Sequence, residues 1–239
     1  MAAVILRCEG LTRHFGGLTA VNDVTMEIPE GQIRALIGPN GAGKSTLVGM
    51  LCGRIEASSG RVWFQGEEIS GLPAHTRIAR GMAYTFQITS IFGRLSLHEN
   101  VALAVRRIGA RDVDTRVTAA LDQVGLASQA GQIAGDLSYG HQRLLEIAMG
   151  LGQDPKLLIL DEPTQGLSDS EVASFNTLIR EMAGRRTILL IEHNMQVVME
   201  TADVVTVLNF GEVLAEGTPQ DIRADKAVQH AYLGTVEGT

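Results

Sequence analysis

The sequence predicts an α/β fold in which helices cover a parallel β-sheet, because strand-like and helix-like segments alternate along its final third. The apolar runs there are short and bounded by turn residues, which is typical of buried parallel strands. The predicted elements are strand 157–161, helix 169–183, strand 187–192, helix 194–202 and strand 204–208. One large α/β domain accounts for this part of the 239-residue chain.

The N-terminal third is predicted to contain strands joined by tight turns. Apolar and polar residues alternate over 24–28, as in a strand with one buried face. Further strands are predicted at 32–37 and 60–66. A glycine-rich loop after the first of these leads into a helix that opens at Ser45.

The middle of the chain, residues 88–152, has helical patterning. Ser96 and Glu99 have the spacing of a capping box at the start of one helix. Val117 and Leu121 recur at a helical interval along a second one. No Pro- or Ser-rich linker separates these helices from their neighbours, so they are interpreted as an insertion within the α/β domain.

Composition and charge exclude some functions. The chain is 45% hydrophobic and its net charge is -7, which disfavours nucleic acid as a partner because phosphate backbones select basic surfaces. No apolar run approaches the ~20 residues that span a bilayer, and the N-terminus lacks a signal-peptide pattern. We therefore expect a soluble protein that acts at a membrane only through partners. Cys8 and Cys52 are expected to be buried free thiols, and Trp63 and Met195 to pack in the core.

A glycine-rich motif between a predicted strand and a predicted helix indicates a phosphate-binding loop. Its residues are Gly38, Pro39, Asn40, Gly41, Ala42, Gly43, Lys44, Ser45 and Thr46. Glycines let successive N–H groups face an anion, and the helix N-terminus adds the positive end of its dipole. Lys44 is expected to reach the β- and γ-phosphates, and the Ser45 hydroxyl to bind Mg²⁺.

Two carboxylates end the predicted strand 157–161. The carboxyl edge of a parallel sheet is where ligands of α/β folds bind. Asp161 is expected to hold Mg²⁺, and Glu162 is placed to polarise the water that attacks the γ-phosphate. An Asp-Glu pair after a strand is more often a solvated strand end when it stands alone. The phosphate loop is what makes a catalytic interpretation the better one.

A five-residue motif that directly precedes a helical run resembles a motif of a known family. Its residues are Leu137, Ser138, Tyr139, Gly140 and His141. They resemble the signature motif of the ABC ATPases, commonly Leu-Ser-Gly-Gly-Gln, which in that family closes over the γ-phosphate held by a second subunit. Ser138 and Gly140 keep a hydroxyl and a main-chain N–H at a helix start. Tyr139 and His141 depart from the common pattern, and His141 removes an amide side chain.

Other positions match the same family in the expected order. Gln87 resembles the glutamine that meets Mg²⁺ and the attacking water, and His193 resembles the histidine that touches the γ-phosphate. Phe15 resembles the aromatic residue that stacks on adenine, a contact worth ~1–3 kcal/mol per base. A four-residue segment of this sequence resembles the loop that in the family crosses between paired cassettes. It consists of Gly166, Leu167, Ser168 and Asp169. Each residue alone has an ordinary structural interpretation, and their joint occurrence carries the resemblance.

The resemblance covers residues 4–234 and implies a RecA-like P-loop NTPase core with an N-terminal antiparallel β-subdomain and an inserted α-helical subdomain. The implied parts are 4–87, 88–152 and 153–234. It also implies an ATPase that uses ATP and Mg²⁺ and pairs with a second cassette, of the same or a different chain. Two integral-membrane permease subunits would hold it at the cytoplasmic face of the inner membrane.

Several details resemble the importer branch for branched-chain or other hydrophobic amino acids, which includes urea and amide systems and uses a periplasmic solute-binding protein. These details lie at 15–21, at 137–140 together with 143–148, and at 191–195 and 231–234. Residues 91–96 and the same tail also resemble the lipopolysaccharide-export ATPase, which stays open as an alternative. Another alternative is a soluble ABC-type ATPase that remodels a macromolecular complex. The lack of a second cassette or a coiled-coil insert disfavours it.

Overall fold

The computed structural model describes residues 3–85 and 90–233, and two β-sheets with covering helices confirm the α/β fold. The strands are β1 (Val4–Phe15), β2 (Leu18–Pro29), β3 (Ile33–Ile37), β4 (Ser59–Phe64), β5 (Glu67–Glu68), β6 (Met82–Thr85), β7 (Leu157–Asp161), β8 (Thr187–Ile191), β9 (Val204–Asn209) and β10 (Glu212–Gly217). The helices are α1 (Lys44–Leu51), α2 (Ala74–Ala79), α3 (Leu97–Arg107), α4 (Val113–Gln123), α5 (Tyr139–Gly152), α6 (Asp169–Met182), α7 (Met195–Thr201), α8 (Pro219–Ala224) and α9 (Lys226–Leu233).

A six-stranded sheet has the order β10-β9-β3-β8-β7-β6. Strands β6, β7, β8, β3 and β9 run parallel, and β10 pairs antiparallel with β9 at one edge. Every residue of β3, β7 and β8 is buried, as expected for strands covered on both faces. The strands and helices predicted for the last third agree with these elements to within one or two residues. The carboxyl ends of β3, β7 and β8 bring three loops to one edge of the sheet.

A second, four-stranded sheet is antiparallel, with the order β2-β1-β4-β5. This sheet confirms the antiparallel β-structure expected near the N-terminus. Its apolar face shares one core with Leu47 and Leu51 of α1 and with Ile159 of β7. Helix α1 therefore packs between the two sheets, and the turn between β1 and β2 lies beside the loop that precedes α1.

Helices α3, α4 and α5 lie between β6 and β7 in the chain and form a core of their own with the other face of the parallel sheet. The predicted capping box is present: Glu99 N donates to Ser96 Oγ at 3.2 Å, and Ser96 N donates to Glu99 Oε2 at 2.8 Å. Such a cap stabilises a helix by about 1 kcal/mol. Val117 and Leu121 are buried on α4, as their spacing predicts.

Two core expectations are wrong in part. Trp63 is half-buried because strand alternation turns it away from the face that buries Val62 and Phe64, and the Arg7 guanidinium lies 5.3 Å from its ring centroid. Met195, in the first turn of α7, is also half-buried, but it packs against the core that includes Ile37 and Val198, as expected.

The two cysteines are buried and free, as predicted. Burial raises the pKa of Cys8 and of Cys52 to about 12, so both thiols stay protonated at neutral pH. Across residues 3–85 and 90–233, the helices are too short or too polar to traverse a lipid bilayer.

Candidate active site

The glycine-rich loop leaves β3 and turns directly into α1, which begins at Lys44. A Cβ on Gly43, whose φ is 99°, would lie 2.4 Å from the main-chain oxygen of Ala20. A Cβ on Gly38 would lie 2.2 Å from the main-chain oxygen of Leu208. Only glycine fits at these two positions, and the loop is thereby held closely against β2 and β9.

The Lys44 ammonium is held inside the loop. Its Nζ donates to the main-chain oxygens of Gly38 at 2.7 Å and Pro39 at 3.1 Å. Burial lowers the pKa of Lys44, and the carboxylates of Glu162 and Asp161 partly offset that shift. The site therefore holds a desolvated cation that an incoming anion would stabilise.

A cavity of about 490 Å³ opens beside the loop. Its walls come from residues 40–46, residues 18–20, Phe15, Glu162 and Phe210. Its volume lies within the range of small-molecule sites. Phe15 is 45% exposed, although the guanidinium of Arg13 lies 4.6 Å from its ring centroid. The structure thus brings the phosphate loop, one catalytic candidate and the predicted base-stacking ring to a single cavity.

Phe210 is a cavity residue that sequence reasoning missed. It is 87% exposed and occupies the turn between β9 and β10 with a φ of 48°. The next residue, Gly211, donates its N–H to the main-chain oxygen of Ala42 at 3.0 Å, which fixes this turn against the phosphate loop. An aromatic residue before a turn glycine was visible in the sequence, but nothing there linked it to residues 38–46.

Asp161 and Glu162 lie at the carboxyl end of β7, as predicted. Asp161 is buried, and its Oδ2 accepts a hydrogen bond from the Tyr84 hydroxyl at 2.5 Å. Burial raises the pKa of the Asp161 carboxyl, and the hydrogen bond from Tyr84 partly opposes this. Glu162 is more open, with 18% of its side chain exposed, and faces the cavity.

His193 follows β8 and approaches the catalytic candidate. Its Nδ1 lies 3.9 Å from Oε1 of Glu162, beyond hydrogen-bond distance, and 55% of its side chain is exposed. The neighbouring Glu192, which sequence reasoning missed, is fully buried. Its carboxylate accepts hydrogen bonds from Thr164 Oγ1 at 2.6 Å and from the main-chain N–H groups of His193 and Asn194. Glu192 thereby joins the loops after β7 and β8.

The signature residues form the start of α5. Ser138 is the exposed N-cap residue, and its hydroxyl accepts a hydrogen bond from the N–H of His141 at 3.3 Å. Gly140 is buried against α6, since a Cβ there would lie 2.0 Å from Oε1 of Glu171. The hydroxyl of Ser138 and the helix N-terminus are thus presented outward, as an anion contact requires.

The signature and the predicted inter-cassette loop meet within one chain. A Cβ on Gly166 would lie 3.0 Å from Cε1 of Tyr139, so the aromatic ring packs directly against that glycine. The loop ends in a capping box in which Ser168 N donates to Glu171 Oε2 at 2.8 Å. Tyr139, the unusual residue of the signature, therefore contacts the turn at Gly166.

The site residues fall into two groups. Among the described residues, the walls of the 490 Å³ cavity include the phosphate loop and Glu162 but no residue of 137–141. The signature residues instead pack against residues 166–171 of the same chain, with Tyr139 against Gly166 and Gly140 against Glu171. Gln87, the remaining predicted catalytic and metal-binding residue, lies outside the described residues.

The chain matches known protein families along most of its length. The family described as ABC transporter matches residues 21–165, and the one described as branched-chain amino acid ATP-binding cassette transporter matches residues 212–238. The high-affinity branched-chain amino acid transport ATP-binding protein BraF of Pseudomonas aeruginosa is 38% identical over 98% of this chain and 99% of BraF. The lipopolysaccharide export system ATP-binding protein LptB of Haemophilus influenzae is 31% identical over 96% of this chain and 97% of LptB.

A solved structure shows the same fold. It is the crystal structure of the ADP conformation of an ATP-binding cassette of an ABC transporter, with a TM-score of 0.89 and 27% identity. The match covers 98% of this chain and 100% of the other.

Proposed function

Because the chain belongs to the ABC transporter family of ATP-binding cassettes, we propose that it hydrolyses ATP to power uptake of branched-chain or related hydrophobic amino acids, or of a urea- or amide-type solute. The observation that carries ATP hydrolysis is the cavity shared by the phosphate loop, Phe15 and Glu162, and the solute class is supported by the similarity to BraF. The cavity combines hydrogen-bond donors for an anion, an aromatic surface for stacking and a candidate general base.

ATP binding is assigned to the phosphate loop and Phe15. The N–H groups of the loop and the N-terminus of α1 would bind the phosphates. Lys44 would exchange its contacts with the main-chain oxygens of Gly38 and Pro39 for phosphate oxygens, whose negative charge would add to the partial compensation from Glu162 and Asp161. Phe15 would stack on the adenine.

The donors present fit Mg²⁺. The hydroxyl of Ser45 at the start of α1 and the carboxylate of Asp161 at the end of β7 are oxygen ligands. Mg²⁺ is typically held by few protein oxygens together with water and substrate phosphates. A bound divalent cation would also stabilise the buried charge of Asp161, whose pKa is raised. Gln87 belongs to the proposed set, and the ion would neutralise charge on the β- and γ-phosphates.

Hydrolysis is assigned to Glu162 and His193. The Glu162 carboxylate faces the cavity and would polarise the attacking water as a general base. His193, 3.9 Å from that carboxylate, would donate a hydrogen bond to the γ-phosphate. The products are ADP and phosphate.

Assembly is proposed to complete the site. Ser138 and Gly140 would contact the γ-phosphate of a second cassette, of the same or a different chain, with residues 166–169 crossing between the two. Residues 4–87 and 153–234 would form the nucleotide-binding part, and the helical part 88–152 would face two membrane permeases. The chain would then lie peripherally at the cytoplasmic face of the inner membrane, with a solute-binding protein on the other side.

Lipopolysaccharide export is a second candidate function. It is favoured by the 31% identity to LptB over nearly the whole chain and by the resemblance at residues 91–96. The matches at residues 212–238 and to BraF rank amino-acid uptake first.

The test is purification of the tagged chain from gently solubilised native membranes, followed by mass spectrometry and uptake assays. We expect two polytopic permeases to copurify. Uptake of radiolabelled leucine or valine should be lost in a deletion strain and restored by the wild-type chain but not by Glu162→Gln. Copurification with lipopolysaccharide-export subunits would favour the second candidate. Recovery of soluble proteins only, with high ATPase activity, would contradict a transport function.

A further inference from the structure

Arg143 brings a fully buried guanidinium to the main chain at the end of β7, residues 161–163, which we call the catalytic loop. It lies on α5 and is 1% exposed. Its Nη2 donates to the main-chain oxygens of Asp161 at 2.5 Å and Glu162 at 3.0 Å, and its Nε donates to that of Pro163 at 3.4 Å. Its Nη1 donates to Oε2 of Glu146 at 2.7 Å. One side chain therefore binds three successive carbonyl groups where the chain leaves β7.

The ion pair by itself does not explain this arrangement. A buried ion pair such as Arg143–Glu146 is weak evidence for stability, because the desolvation of both charges offsets their attraction. The planar fork of a guanidinium can instead fix several acceptors in one geometry. Here two of the three acceptors are the main-chain oxygens of Asp161 and Glu162, the residues assigned to Mg²⁺ binding and general-base catalysis.

The backbone of Glu162 needs such support. Its φ is 47°, in the left-handed region that is unfavourable for a residue with a Cβ. A strained residue keeps this conformation only where its surroundings determine it. The N–H of Glu162 donates to the main-chain oxygen of Ile191 at 2.9 Å on one side, and Arg143 holds its carbonyl on the other.

We propose that Arg143 is a positioning residue for hydrolysis, which holds the left-handed peptide of Glu162 so that the carboxylate faces the nucleotide cavity. The inference rests on the proposed role of Glu162 as general base. Arg143 also lies on the helix that Ser138 caps, so the same contacts join the signature helix to the catalytic loop.

The test compares Arg143→Lys with the wild type. Lysine keeps the charge but cannot donate to several carbonyls as a planar fork does. We expect kcat to fall roughly 100-fold through misplacement of the carboxylate. The KM for ATP and the affinity for a fluorescent ATP analogue should change less than about twofold, because the phosphate loop is untouched.

A double-mutant cycle separates positioning from a general structural effect. In the Glu162→Gln background, Arg143→Lys should lower kcat by less than about twofold, since the group that it positions no longer acts. If Glu162→Gln by itself leaves turnover unchanged, the proposed function is wrong. If Glu162→Gln slows turnover while Arg143→Lys does not, or if the two effects multiply fully, the positioning role is wrong.

Arg34 provides a matched control. It is also a buried arginine, 4% exposed, and it binds Thr206 and Glu216 away from the catalytic loop. Arg34→Lys should lower the melting temperature while kcat stays within about twofold of the wild type. An equal loss of kcat in the two lysine variants would overturn the inference.

A second variant covers the outcome in which Arg143→Lys does not fold. Arg143→Met combined with Glu146→Leu replaces the buried ion pair by apolar residues of similar size, a change that is often neutral or stabilising. This variant should fold and bind ATP, and its kcat should fall by the same rough factor of 100. Wild-type turnover in a folded variant of this kind would contradict the role of Arg143.

Discussion

The phosphate loop and the signature region reach their geometry by different routes. The shape of the loop is contained in one continuous stretch, residues 38–46, whose glycines, lysine and hydroxyl are neighbours along the chain. The signature region is assembled by packing between distant segments, since Tyr139 lies against Gly166 and Gly140 against Glu171. The phosphate loop can therefore be predicted from a sequence motif, whereas the geometry of the signature region depends on how α5 and α6 pack together.

The two regions also differ in what they can do alone. The loop surrounds the Lys44 ammonium within a cavity of its own chain. Ser138 is exposed at the start of α5 and is not among the described residues that line that cavity. Changes near the loop should thus alter nucleotide binding by the single chain, and a change of the exposed Ser138 should alter nucleotide-dependent behaviour only when two chains meet.

The largest effect is expected for Glu162→Gln. Loss of the polarising carboxylate should slow ATP turnover by roughly 10²–10⁴-fold, because general-base catalysis contributes that much. ATP affinity should stay near the wild-type value, since the phosphate loop is unchanged. Steady-state hydrolysis and equilibrium binding check this, with the exposed Glu181→Gln on α6 as the matched control. Near-wild-type turnover would remove Glu162 from its assigned role.

Ser138→Arg tests the claim that the signature acts between chains. A long cation at this helix start should block ATP-driven pairing, while the nucleotide affinity of the single chain stays nearly unchanged. Size-exclusion chromatography with ATP, in the slowly hydrolysing Glu162→Gln background, measures the dimer. The exposed Ser174→Arg on α6 is the control and should still pair. An ATP-dependent dimer of the Ser138 variant would show that the shared-site account is wrong.

Two glycine substitutions sharpen the comparison on stability. Gly43→Ala places a methyl group against the main-chain oxygen of Ala20 at a positive φ, and should lower the free energy of unfolding by roughly 2 kcal/mol or more. In Gly140→Ala the added methyl group meets the carboxylate of Glu171, which is the flexible end of a side chain and can move away. The loss of its capping contact at the start of α6 costs about 1 kcal/mol, and the better helix propensity of alanine in α5 offsets that cost. Its net effect should stay within about 1 kcal/mol. Urea denaturation of both variants checks the contrast, and equal losses would contradict it.

The sequence predicts the parts of this molecule that depend on local patterns. The parallel strands, the capping box at Ser96 and the strand–loop–helix context of Lys44 all follow from short-range periodicity and turn chemistry. These features are decided by residues within a few positions of one another, so a single sequence contains the information.

The contacts that the sequence does not predict join residues far apart in the chain. Arg143 was visible only as part of a helical run, and its hydrogen bonds to the loop after β7 arise from the packing of α5 under that loop. Glu192 and Phe210 reach the site in the same way, through the order of strands in the sheet. Trp63 shows the reverse error, since its large apolar side chain predicts a core position although strand alternation leaves it half-buried.

Among the effects on nucleotide binding and turnover, the smallest is expected for Phe15→Ala. Loss of one stacking surface, worth ~1–3 kcal/mol, should weaken ATP binding by roughly tenfold or somewhat more. Binding of inorganic triphosphate should not change, because the phosphate loop remains intact. Phe92 is similarly exposed, at 55%, but does not line the cavity, so Phe92→Ala serves as the control. Equal weakening of ATP and triphosphate would mean that Phe15 supports the loop, and the base would then have to rest on another part of the cavity, where Phe210 is the exposed aromatic ring.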